Sequence, residues 1–316
     1  MKLCVHEGLS TQSRSLIKED VSRSNEKLEF RKITVDDLDF VPAICLDPSV
    51  ERKGREAMRP HMENRLKWLR KMMPQGLEII VALENPKPEM LHYPWAGSMR
   101  HEDLAVKGKV PKGLIEYLPI EAALESVKGE SSLFIDCIWV LPPFWKTGVA
   151  KGLMQQFIQE AKKRGGATVL AYEGDKWFET SIRYMPSSFF KNFGFKEVSR
   201  DGTRMLLHLD LGAHQFPMLI TCKRREIDEK GETALDIFCN GQCPWCGWMS
   251  DQVRKNVRKY SSVTVNVINT DSRDTIEKCG IARGVSINGD PIIKRMASWK
   301  EIESALDRYT NRNTHS

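Results

Sequence analysis

The chain has 316 residues, 41% hydrophobic and 28% charged, which at about 150 residues per domain points to two domains with real cores. These figures exclude a disordered chain, a collagen-like repeat and a small disulfide-stapled scaffold. No run of about 18 uninterrupted apolar residues occurs, which argues against a spanning helix. Lysine and arginine total 48 against 42 for aspartate and glutamate, a formal charge of +6 scattered along the chain. That excess allows a polyanionic ligand but gives no nucleic-acid signature and no membrane attachment. The first fifteen residues hold no apolar signal segment, so the eight cysteines are expected to be cytoplasmic thiols with at most one redox or metal site.

Residues 1–27 are polar and read as a loose arm. A strand is predicted at 28–33, a short helix opening at Thr34, and a second helix at 55–73, rich in Arg, Lys and Met. Residues 77–83, dense in Ile, Val and Leu, predict a buried strand. Pro86, Pro88, Pro94 and Pro111 mark 84–112 as a long irregular insertion, of the kind that carries function. Strands follow at 113–121 and 132–140, then a helix at 148–164 with Val149, Leu153, Phe157 and Ala161 on one face. A strand at 167–173, a short helix ending at Gly194 and a strand at 204–211 complete the first unit, 28–213. Residues 214–232 read as linker, closed by a run of charges. From 233 the order is strand, Cys243-Pro-Trp-Cys246, helix, strand, short helix, two strands and a helix at 299–310, with Ser298 and Glu301 at capping-box spacing. This second unit is 233–316.

The stretch 134–153 is a strand, a proline turn and a glycine at the mouth of an amphipathic helix. Such a turn leaves backbone N–H groups unpaired in front of a helix dipole, a seat for a diphosphate. Thr147, Gly148, Val149 and Ala150 would offer amides there, with Lys146 and Lys151 flanking, and Gly148 would let the phosphate approach closely. The stretch resembles motif A of the GNAT N-acetyltransferase superfamily, Gln/Arg-x-x-Gly-x-Gly/Ala, with Gly148 and Ala150 matching and Trp145 standing where Gln or Arg is usual. Gly194 and Phe195 resemble the family's second signature, Tyr-x-x-x-Gly-Phe, with Phe190 in place of the tyrosine.

The resemblance covers roughly 28–212 and implies acetyl-CoA as cofactor, with a sheet splayed between its fourth and fifth strands. The pantetheine arm would bond in strand-like fashion beside Val140. It also implies a base for the attacking amine. Asp136, mid-strand, is the first choice, and by period-two alternation it shares a face with Phe134 and Ile138. Glu173 is the second choice. Phe190 cannot donate a proton to the leaving thiolate, so that role falls to another group, to water or to nothing, with Tyr172 and Tyr184 as the candidate side chains. Glu116, Glu121 and the insertion, with His92, Trp95 and His101, would border a small-molecule or peptide amine acceptor.

Cys243 and Cys246 follow a strand and open a helix, the context in which a CxxC pair has redox meaning. The helix N-terminus would make Cys243 the low-pKa attacking thiol and Cys246 the resolving one. The element order resembles thioredoxin and glutaredoxin-like domains, with Ala282-Arg283-Gly284 where relatives carry a cis-proline. Three readings of the thiols stay open: a redox pair, a passive module, or a zinc or iron–sulfur site that adds Cys239 and Cys279.

The fold class expected is α/β (α+β): a GNAT-type mixed, splayed β-sheet with flanking helices, plus a small thioredoxin-like α/β domain. A fusion of this kind resembles the YoaP-type acetyltransferases. It implies acetyl transfer to an amine by direct attack in a ternary complex, with thiol–disulfide exchange or passive metal or CoA binding as the alternative. Neither the acceptor nor the oligomeric state is legible in the sequence.

Overall fold

The computed structural model describes residues 28–46, 52–85, 108–178, 180, 182–222, 224 and 233–313. The expected N-terminal arm, most of the insertion with His92, Trp95 and His101, and most of the charged run before 233 lie outside the described residues.

The first unit is built on strands β1 (Glu29–Lys32), β2 (Glu78–Glu84), β3 (Val110–Pro119), β5 (Leu133–Val140), β6 (Gly166–Tyr172), β7 (Lys196–Asp201) and β8 (Arg204–Asp210), in the spatial order β1-β2-β3-β5-β6-β8-β7. Every neighbouring pair is antiparallel except β5 and β6, which are parallel. That pair needs a crossover, supplied by helix α3 (Val149–Lys162). Helix α1 (Val41–Ile44), helix α2 (Arg52–Met72) and α3 cover the sheet, and a short helix α4 (Ser187–Lys191) follows β6. Strand β2 is buried over nearly its whole length, so it reads as a continuous apolar run rather than an alternation. In α3 the buried residues Val149, Leu153, Met154, Phe157 and Ala161 form the predicted stripe.

Strand β7, whose sequence is mostly polar, pairs with β8 at the sheet edge and was not expected from the sequence. Within the stretch read as linker, β9 (Met218–Leu219) pairs with β4 (Val127–Lys128), tying that segment to the first unit.

The second unit has strands β10 (Thr233–Cys239), β11 (Val263–Asn269), β12 (Gly284–Ile287) and β13 (Asp290–Ile293), ordered β11-β10-β12-β13 with only β10 and β11 parallel. Helices α5 (Pro244–Asn256), α6 (Arg273–Cys279) and α7 (Trp299–Asn313) alternate with them. The capping box forms as predicted: the Ser298 amide donates to Glu301 at 3.0 Å and the Glu301 amide to Ser298 Oγ at 3.3 Å.

The two units share apolar surface. Leu46, Met58 and Phe178 of the first unit pack in the core of the second. Helix α5 lies against α2, and Gly247 makes the approach possible, since a Cβ there would meet the His61 ring at 2.3 Å. The indole of Trp245, inside the Cys-Pro-Trp-Cys motif, donates to the Cys45 carbonyl at 2.9 Å across the interface.

Candidate active site

Strands β5 and β6 pair only from Leu133↔Ala167 to Ile135↔Val169, then part. The fork opens at Asp136, which is also the extra residue of a bulge. Glu116 pairs with Cys137 and Tyr117 with Ile135, leaving Asp136 without a partner on β3. The bulge interrupts the alternation expected from the sequence at Asp136, and Asp136 to Trp139 all border one cavity.

Beyond the fork lies a cleft of about 480 Å³, bounded by Ile138–Val140, Phe144–Lys146 and Gly148–Lys151. Gly148 is the N-cap of α3 with φ of 91°, a left-handed conformation in which a side chain would be strained. Among the described residues no backbone carbonyl accepts from the amides of Gly148, Val149 or Ala150. Thr147 differs from expectation: its amide reaches the Phe144 carbonyl at 3.4 Å and its hydroxyl donates to the same oxygen at 2.6 Å, so it is committed to the turn. Val140 is half committed. Since the Leu141 amide bonds to β3 through Lys112, the amide and carbonyl of Val140 point into the gap. Its carbonyl accepts the Trp145 indole N–H at 2.7 Å, leaving the amide free to bond a ligand.

On the other side of the fork a second cavity, about 170 Å³, is walled by both units. Trp139, Trp177, Phe178, Tyr184 and Phe189 come from the first, and Gln242, Cys243, Trp245, Arg283 and Met296 from the second. Asp136, Gln242 and Arg283 at its floor belong to a buried polar network that continues behind it. Arg65 on α2 donates to Glu116 on β3 and to the Gln242 carbonyl, and Gln242 Nε2 donates to Glu116 at 3.1 Å. Arg283 donates to Gln242 Oε1 at 2.5 Å and to Glu125, and stands 3.7 Å from Asp136. Two guanidiniums therefore face three carboxylates, and Asp136 Oδ2 is buried with no hydrogen-bond partner. Burial first, and then the Glu116 charge, push the Asp136 carboxyl up to about 8, against a smaller opposing pull from Arg65.

Residues 67–189, which contain the fork, the α3 turn and Asp136, match the family described as "Acetyltransferase (GNAT) family". Over that stretch the chain is similar to GNAT acetyltransferases. A protein named "Uncharacterized N-acetyltransferase YoaP", from Bacillus subtilis (strain 168), is 28% identical over 171 residues, which are 53% of this chain and 65% of that protein's length. Similar solved structures include the PaiA N-acetyltransferase of Thermoplasma acidophilum in complex with coenzyme A. That chain is 14% identical, with 58% of this chain and 99% of that one covered and a TM-score of 0.37. A GNAT acetyltransferase of Brucella melitensis in complex with acetyl-CoA is 14% identical, with 59% and 90% covered and a TM-score of 0.34.

Within the first unit the fold brings some predicted residues together and separates others. Asp136 lines the cavity, and Lys146, Gly148, Val149, Ala150 and Lys151 line the cleft. Glu173 does not join them. It lies exposed and paired with Arg200 at 2.6 Å, which holds its carboxyl below the ordinary value. Tyr172 is directed to the second unit, its hydroxyl 3.5 Å from the Lys294 carbonyl, and burial raises its pKa to about 12. Tyr184 lines the cavity, stacked on Trp177 at 5.2 Å between ring centroids. Phe190 is fully buried among Phe189 and Phe195. Glu121 is exposed and paired with Arg164 at 2.9 Å.

The thiols depart most from expectation. Cys243 faces the cavity as the N-cap of α5, with the Trp245 amide on its sulfur, yet burial outweighs that bond and pushes it to about 12. Cys246 is buried and raised well above the usual thiol value, its Sγ donating to the Phe238 carbonyl at 3.7 Å. A low-pKa attacking thiol is therefore absent at Cys243. The proposed four-cysteine site does not assemble: Cys279 sits beside Cys222, and among the described residues no group of three or more His, Cys, Asp or Glu side chains could hold a metal.

Sequence reasoning missed Arg65 and Gln242 altogether and noted Arg283 only as the residue in a proline's usual place. The signal available was a buried-context arginine in an apolar strand entry, which needs a carboxylate from elsewhere.

Proposed function

We propose that the protein is an acetyl-CoA-dependent N-acetyltransferase whose acceptor pocket is completed by its C-terminal unit. The observation that carries this reading is the fork itself: parting strands, free first-turn amides of α3 on one side, and an unpaired Asp136 carboxylate oxygen on the other. The amides of Gly148, Val149 and Ala150, with Lys146 and Lys151, would hold the diphosphate, and the Val140 amide would bond the pantetheine arm. Acetyl-CoA, when bound, supplies the thioester carbonyl that the acceptor amine attacks. Asp136 takes the amine's proton, and a carboxyl with a pKa near 8 suits that task. Tyr184 carries the phenol on the cavity wall that is suited to return a proton to the leaving thiol.

The order β10-α5-β11-α6-β12-β13-α7 supports a thioredoxin-like reading of the second unit. In this proposal Cys243 and Cys246 are wall and core groups rather than a redox pair, because burial suppresses both thiolates. Calorimetry with acetyl-CoA tests the seat. Wild type should bind and Gly148→Glu should lose at least tenfold in affinity; equal affinity removes the diphosphate assignment.

A further inference from the structure

The cavity on the acceptor side has an asymmetry of charge. Its walls are aromatic and apolar: Trp139, Trp177, Phe178, Tyr184, Phe189 and Trp245. Its polar floor is Asp136, Gln242 and Arg283, with Arg65 behind it, and both guanidiniums are spoken for. Arg65 is committed to Glu116 and the Gln242 carbonyl, Arg283 to Glu125 and the Gln242 side chain. Arg183, the other cation among the lining residues, lies exposed to solvent. Asp136 Oδ2 has no partner.

With Asp136 protonated the empty floor is balanced, Glu116 against Arg65 and Glu125 against Arg283, so an incoming carboxylate would find no uncommitted cation there. An ammonium would meet an unpaired carboxylate oxygen and the faces of aromatic rings, which attract cations. Resting on the transferase reading above, we propose that the acceptor is an apolar primary amine that enters as its ammonium and bears no carboxylate.

The same arrangement predicts a proton count. The charged groups that act on Asp136 are Glu116 on β3, Arg65 on α2 and Arg283 ahead of β12, which also holds Glu125. With its carboxyl at about 8, Asp136 is protonated at neutral pH in the empty pocket. Pairing with an ammonium drives it to the carboxylate and releases that proton to the buffer, one proton for each amine bound.

The test uses the full-length protein at neutral pH with 2-phenylethylamine, phenylalanine and 3-phenylpropionate as probes. Binding is read by fluorescence of the wall tryptophans and by calorimetry in two buffers of different ionisation enthalpy. The expected result is that phenylethylamine binds at least about tenfold more tightly than either carboxylated probe, releasing close to one proton. Asp136→Asn should abolish the release and weaken the amine while leaving acetyl-CoA affinity unchanged, a check that the variant is folded. Equal or tighter binding of phenylalanine or phenylpropionate overturns the proposal, as does failure of phenylethylamine to bind or proton release that persists in Asp136→Asn. Loss of the transferase reading would show differently, as amine binding with no acetyl-CoA binding and no CoA release when both are mixed.

Discussion

Arg283→Met removes a guanidinium that the C-terminal unit pushes into the floor of the proposed acceptor cavity. Three acceptors lose it at once: Glu125, Gln242 Oε1 and, at 3.7 Å, Asp136. At an effective dielectric of about 20 a bare unit charge at that separation acts with at most about 4.5 kcal/mol, an upper bound for Asp136, whose shift is set by burial and Glu116 with Arg65 opposing. Protonation of the abandoned Glu125 returns part of this, so the Asp136 midpoint should move up from about 8 by one unit or more. Breaking a buried pair from one side also costs about 3–5 kcal/mol of stability, which for a unit of this size lowers Tm on the order of 10 °C.

The pH dependence has a definite sign. In the wild type the Asp136 carboxyl lies above its unfolded value, so the folded protein holds a proton the unfolded chain has released. That contribution to stability is complete below about pH 4 and is lost as pH rises through about 8. In Arg283→Met both carboxylates are neutral at acid pH and strained at alkaline pH, so the deficit should widen from about pH 5 to about pH 9. Carbon-13 labelling of aspartate carboxyls, with Asp136→Asn to assign the resonance, reads the midpoint, and thermal unfolding reads the deficit. Arg283→Lys, which keeps the charge, should stay close to wild type in midpoint. An unchanged or lowered midpoint in a folded Arg283→Met would refute the electrostatic account of the floor.

Gly247→Ala should loosen the seam between the units, because the added methyl meets the His61 ring at 2.3 Å; limited proteolysis ought to accelerate between 222 and 233, with a stability loss of about 1–3 kcal/mol. Unchanged cleavage would mean that α5 and α2 can separate slightly at no cost. Cys243, with its thiol near 12, should alkylate at about pH 8 some three orders of magnitude more slowly than a free cysteine; peptide mapping over time reads this, and rapid labelling would restore the redox reading. Replacing Ser298 by Ala should cost about 1 kcal/mol through α7, seen in denaturant unfolding, and no loss would show the capping box to be idle.

What the sequence determined by itself was local. The apolar stripe of α3, the glycine at its mouth and the capping box of α7 depend on residues a few positions apart, and each forms as read. The Cys-Pro-Trp-Cys turn likewise opens a helix where its spacing predicts one. The tertiary structure alone decided the chemistry of the floor. Arg65, Glu116, Glu125, Asp136, Gln242 and Arg283 stand on separate segments, and it is their common burial that sets which carboxylate is left uncompensated. The bulge that turns Asp136 inward depends on the register with β3, which strand periodicity cannot supply. Burial also reversed the sign expected for Cys243: a helix N-terminus favours the thiolate, but removing that sulfur from water costs more than one amide returns.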